Sequence, residues 1–269
     1  MQNPHPYFER TPLDEMAMGV QFSPLAGLGA ARIGLFWSQI RDAYPLTEDQ
    51  TPVAPAFEPA AIKPTEPVVF RVSAVPSPRI FLLTEDKKEL IQIQRDRFLR
   101  NWRKVEGNEV YPRFNRLSDR FQEAWEMFLR FAKQESLGSV DVSQCEIAYI
   151  NHIEREAGWN DLGDFGEVFT IIRSGGSKGF LPPPEVLSWQ TRYKLPDGRG
   201  RLHVEMNPIF RGRDMKLVLN LSLLARGAPA GNSAEQIAEW FALAHEWAIR
   251  AFVELTSSKA HQLWGLKSG

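Results

Sequence analysis

The amino-acid sequence predicts an α+β protein made of two internally duplicated strand–helix–meander–helix units. Their meanders are expected to join into one curved antiparallel sheet with long helices on one face. Three observations carry that expectation. Short strands follow one another across turn signals instead of alternating with helices, which argues for antiparallel pairing over a parallel βαβ sheet. Two long segments carry wide apolar stripes at helical spacing. The same order of elements also recurs in the two halves of the 269 residues.

In the first half, residues 17–22 read as a short strand. PLAGLGA follows, then a helical stripe of Ile33, Phe36, Trp37, Ile40 and Tyr44 that Pro45 stops. Residues 51–67 carry prolines at 52, 55, 59, 64 and 67, which excludes helix and central strand and predicts an extended strap across the surface. The run 68–103 holds VVFRVSA, RIFLLT, ELIQIQ and RFLRNWR between turn-forming residues. Ile91 and Ile93 alternate with Gln92 and Gln94, the period of a strand with one dry and one wet face. A long helix comes next, with Phe114, Leu117, Phe121, Trp125, Phe128 and Ala132 on one stripe and Gly138 as its C-cap.

The second half opens with the strand VSQCEIAYINHI. DLGDFGEVFTII reads as a short, poorly formed helix, weakened by two interior glycines. The loop SGGSKG and the prolines at 182, 183 and 184 lead into a second meander of VLSWQTRYKL, RLHVEMNPIF and KLVLNLSLLAR. Asn232 or Ser233 is placed to cap the final helix, whose apolar face includes Ile237, Trp240, Phe241, Ala244, Ala248 and Leu255. The halves divide as residues 1–138 and 139–269 and are expected to share one core as a single compact unit. Their order resembles the strand–helix–four-strand–helix repeat of the TATA-binding-protein-like fold, a likeness that carries no function by itself.

Composition removes several function classes. Hydrophobic residues make up 43% and charged residues 24%, an ordinary globular balance. The formal net charge of −1 argues against a generalised polyanion binder. No apolar run approaches the ~18–20 residues of a membrane helix. The start lacks the basic and apolar regions of a signal peptide, and the single cysteine, Cys145, forms no internal disulfide. The expected location is the cytoplasm, with no membrane partner.

Several stretches together carry a resemblance: PLDEMAMGVQFSPL, ELIQIQRDRFLRNWRK, CEIAYINHI, RLHVEMNPIFR and LTSSKAHQLWG. Across essentially the whole chain the sequence is similar to a sporadically distributed family of bacterial proteins of about this length, to which no biochemical role is assigned. The resemblance implies a stand-alone protein and transfers no catalytic residue. The family's patchy distribution associates it with mobile-element or phage-defence genes.

Two His-x-Glu triplets, His152–Glu154 and His203–Glu205, are the main candidates for chemistry. Residues two apart on a strand share a face, so on neighbouring strands two imidazoles and two carboxylates would converge as a metal or acid–base site. The competing reading is a polar sheet face. His245–Glu246 starts like HExxH, but position 249 is isoleucine, so the zincin motif is absent. GLGAAR and SGGSKG likewise lack the spacing of a dinucleotide or phosphate loop. Cys145 alternates with Ile147 and Tyr149 and reads as a small buried hydrophobe.

Charge is uneven. Residues 87–120 hold ten Lys or Arg against five acids, and 192–216 hold seven against three, so the rest of the chain carries −10. Arg95, Arg97, Arg100 and Arg103 lie beside Phe98 and Trp102, a mixture suited to stacking bases and holding phosphates, or to a plain solvated sheet face. Trp102, Trp159, Trp189 and Trp264 fall outside the helical stripes, where they would line a partner surface or pocket. The sequence therefore points first to a non-catalytic binding or adaptor protein whose partner is another protein, with no cofactor. Nucleic-acid binding through the basic meander and a metal-dependent enzyme built on the His-x-Glu pairs are the alternatives.

Overall fold

The structure, a computed structural model, describes residues 6–58, 78–171, 180, 182 and 184–267. Its strands are β1 (Tyr7–Phe8), β2 (Leu13–Phe22), β3 (Leu46–Gln50), β4 (Arg79–Leu83), β5 (Glu89–Gln94), β6 (Arg97–Arg103), β7 (Val142–Ile153), β8 (Trp189–Lys194), β9 (Arg201–Phe210), β10 (Leu217–Gly227) and β11 (Leu266–Lys267). Its helices are α1 (Ala30–Ile40), α2 (Phe114–Gln134), α3 (Phe165–Val168), α4 (Ala234–Leu255) and α5 (Ser258–Trp264). The fold is α+β, and nine of the strands form one antiparallel sheet in the order β3-β4-β5-β6-β2-β7-β10-β9-β8. Outward from the central β2–β7 pair, the sheet runs β6, β5, β4, β3 on one side and β10, β9, β8 on the other.

Alternation along each strand sends one set of side chains to the helices. Met16, Met18, Val20 and Phe22 of β2 join the core, as do Cys145, Ile147, Tyr149 and Ile153 of β7 and Leu219, Leu221, Leu223 and Ala225 of β10. Helix α2 lays Trp125 and Phe128 against Phe22, with ring centroids 5.8 Å apart, and against Phe98 of β6 at 5.5 and 5.2 Å. Helix α4 covers β7 and β10 and meets α2 edge-on where Phe121 touches Phe241, 5.1 Å between centroids. Helix α1 packs Phe36 on Phe128 and Phe131. Cys145 lies in this core with no exposed surface, as its alternation predicts.

Local chemistry sets the boundaries. Ser233 and Gln236 form a reciprocal capping box that starts α4, one of the two capping residues expected there. At the end of α2 the residue that turns left-handed first is Ser136 (φ 53°), two residues before Gly138, whose φ of 99° is also positive. The Leu137 amide reaches back to the Ala132 carbonyl at 2.9 Å and closes the turn. Helix α1 ends at Ile40, one turn before Tyr44, whose carbonyl accepts from the Trp37 indole N–H at 2.8 Å. Strand β2 begins four residues before the expected 17–22, and β3 is a short polar edge strand that no hydrophobic pattern announced. Gly200 and Gly227 cross so closely that a Cβ on Gly227 would sit 1.8 Å from the Arg199 carbonyl oxygen. Among the described residues no helix is long and apolar enough to cross a membrane. The expected strand at 68–74, the loop SGGSKG and strap residues 59–67 lie outside the described residues.

Candidate functional site

The second set of strand side chains builds the face that α2 and α4 leave open, where polar residues dominate and Leu90 and Leu99 are buried among them. A ladder crosses four strands on it. The Arg79 guanidinium donates to Gln92 Oε1 at 2.5 Å, Gln92 Nε2 to Asn101 Oδ1 at 2.8 Å, and Asn101 Nδ2 to the Glu15 carboxylate. Gln92 and Asn101 are buried. Burial pushes the Glu15 carboxyl above its ordinary value, and the Asn101 hydrogen bond and the nearby Arg103 charge offset only part of that.

Beside the ladder lies residue run 51–58, extended as its prolines require and held to the sheet by side chains. Gln94 pairs with Val53 twice: the Val53 amide donates to Oε1 at 2.9 Å, and Nε2 donates to the Val53 carbonyl at 2.8 Å. Arg97 Nη2 donates to the Ala54 carbonyl and to Gln21 Oε1, each at 2.9 Å, and Gln21 Oε1 also accepts from the Ala56 amide at 3.0 Å. These contacts read backbone, so they place no demand on the side chains at 53, 54 and 56. The register is set by charge. The Glu58 carboxylate, its side chain 8% exposed, accepts from His203 Nε2 at 2.6 Å and Arg201 Nη1 at 3.3 Å. Burial works to raise the Glu58 pKa, but the hydrogen bonds from His203 and Arg201 outweigh it and hold the carboxyl below its ordinary value.

At the other end of the face, Asp14 binds His152 Nδ1 at 3.1 Å and Arg213 Nη1 at 2.6 Å. Burial again opposes ionisation of Asp14, and these two partners again prevail, so its pKa is lowered. Glu154, just past β7, pairs with Arg211 at 2.7 Å and Lys216 at 3.7 Å.

The structure disperses the expected constellations. His152 is in register with Asn220 of β10, which is in register with Asn207 of β9, whereas His203 lies four residues further along β9. Two strand spacings and four residues of rise separate the imidazoles by roughly 16 Å. They share a face but no ligand. Among the described residues no group of three or more His, Cys, Asp or Glu is arranged to hold a metal ion. Glu205 stays exposed.

The basic meander also divides between faces. Arg97 holds the strap on the open face, and Arg103, in register with Glu15, donates Nε–H to the Lys87 carbonyl. Arg95 sits half-buried in the β5–β6 turn. Arg100 and Trp102 point to the helices instead: Arg100 pairs with Glu89, which also binds Arg120 of α2, and Trp102 is 3% exposed against Tyr111. Trp159 and Trp264 are buried too, so of the four tryptophans singled out only Trp189 keeps partial exposure.

Sequence reasoning missed Gln21, Glu58, Gln94 and Arg201. The Gln92/Gln94 alternation was their one visible trace, because Glu58 meets His203 across a separation of 145 residues. A scan against protein-family models finds no match to this chain, and a search of curated proteins finds none either.

Proposed function

We propose that this chain is a non-catalytic binding protein that holds an extended segment of a partner protein on the open face of its sheet. The observation that supports the reading is the strap contact itself. Gln94, Arg97 and Gln21 engage main-chain groups of residues 53–56, and Arg201 and His203 take the carboxylate at 58. Backbone recognition supplies affinity with little sequence demand, and one charged pocket supplies register, a division of labour found wherever peptides bind in extended form. The strap occupies this face in cis, where tethering gives an effective concentration in the millimolar range that a partner segment must overcome.

The same reading includes an internal duplication with the TATA-binding-protein-like order. Its support is the correspondence between β2-β6-β5-β4 and β7-β10-β9-β8 on either side of the centre. Membership of the sporadically distributed bacterial family and a cytoplasmic location belong to the proposal on the sequence resemblance and the lone buried cysteine.

The test replaces residues 51–58 of the full chain by a Gly/Ser run of equal length and adds a fluorescein-labelled peptide of residues 50–59. Polarisation should rise saturably with the replaced chain and much less with the original, whose own strap competes. Circular dichroism confirms that the replaced chain keeps its fold. Loss of binding when Arg201→Ala is added supports the register pocket. Absence of saturable binding to the folded, replaced chain overturns the proposal.

A further inference from the structure

A cavity of about 220 Å³ lies on the opposite side of the sheet, under the first turn of α2, the middle of α4 and the segment around β1. Its walls are apolar, with Phe8, Leu13, Phe114 and Phe252 among them. Against those walls lie two buried phenols and an imidazole: the Tyr149 hydroxyl is 2.6 Å from His245 Nδ1, and the Tyr111 hydroxyl donates to Met16 Sδ at 3.4 Å. Burial pushes both phenols well above their ordinary pKa, so they stay neutral. His245 stacks on Phe114, 4.0 Å between centroids and 3° between planes, which fixes its ring.

The mouth carries Tyr7 and Arg113, both exposed. Arg113 Cζ sits 4.8 Å over the Tyr7 ring. Arg113 also enters α2 at φ 77°, ψ 154°, a region that only glycine occupies without strain. The chain thus tolerates strain to keep an arginine where glycine would be easier.

We propose that this cavity binds a small arylalkanoate: a carboxylate on Arg113 at the mouth, a ring between Phe114 and Phe252, and a polar group on the far side of the ring against the Tyr149–His245 pair. The volume suits one ring with a short side chain and is below the usual range of cofactor sites, so nucleotides do not fit. The assignment is independent of the strap and its face.

The probe is 4-hydroxyphenylacetate, titrated calorimetrically into the full chain and followed by side-chain NMR signals of Tyr149 and His245. Saturable binding that moves those signals is expected. 2-(4-Hydroxyphenyl)ethanol, which lacks the carboxylate, should bind at least tenfold more weakly. Arg113→Gly should also weaken 4-hydroxyphenylacetate at least tenfold while raising the thermal midpoint, because it removes the guanidinium and the backbone strain together. No saturable binding, equal binding of the alcohol, signal changes confined to other residues, or undiminished binding by the folded Arg113→Gly chain would each overturn the assignment.

Discussion

Glu58→Gln isolates the charge that anchors the strap. The carboxylate side chain is only 8% exposed and accepts two charge-assisted hydrogen bonds, from His203 at 2.6 Å and Arg201 at 3.3 Å. Hydrogen bonds to a charged group contribute about 1.5–3 kcal/mol each, and an amide offers one acceptor oxygen where the carboxylate offers two, so the loss of one bond should weaken docking by about 2–3 kcal/mol. Hydrogen exchange reads this at the Val53 and Ala56 amides, which donate to Gln94 and Gln21. Their protection should fall roughly 30- to 140-fold, while amides of β2 and β7 at the sheet centre keep theirs. Acid should act in the same direction. The Glu58 pKa is lowered on folding from a reference of 4.5, so its contribution is complete above that reference and disappears as pH falls through the folded value. Unchanged protection at Val53 and Ala56 in a folded Glu58→Gln chain would refute the reasoning, because the strap would then be held by something other than its charge.

Three further substitutions test other parts of the account. Glu15→Gln keeps an acceptor for Asn101 and removes a carboxylate whose pKa burial has raised. It should stabilise the chain by about 1 kcal/mol at pH 7–8, with the gain vanishing below the unfolded carboxyl's pKa, where both states are protonated; a thermal melt series across pH checks the sign. Gly227→Ala drives a methyl into the Arg199 carbonyl and should cost about 3 kcal/mol or more in urea denaturation. Ser136→Gly relieves the left-handed residue that ends α2 and should add about 1 kcal/mol, read as a higher denaturation midpoint with unchanged slope.

Sequence pattern reached the elements whose information is local. The alternation in β7, the stripes of α2 and α4 and the Ser233 cap are all written in neighbouring residues, and they stand where the pattern put them. What escaped was long-range. Polar β3 pairs with β4 without an apolar signature. Arg100 and Arg97 look alike in a run of basic residues, yet strand parity sends one to Glu89 beneath the helices and the other to the strap. His152 and His203 seemed a matched pair because spacing within a strand is visible, whereas the intervening β10 is a property of topology. Glu58 gave no local sign, since its meaning lies in Arg201 and His203.

The central β2–β7 ladder sets a timing problem for synthesis. Leu13–Phe22 leaves the ribosome well before its partner, so one of its two edges stays bare until Val142–Ile153 has been made. At 5–20 residues per second that interval lasts on the order of 6–25 s. During it, a strand with apolar side chains offers open backbone groups to any other strand nearby. The nascent first half is therefore the stage at which this chain most needs protection from its own neighbours on a polysome.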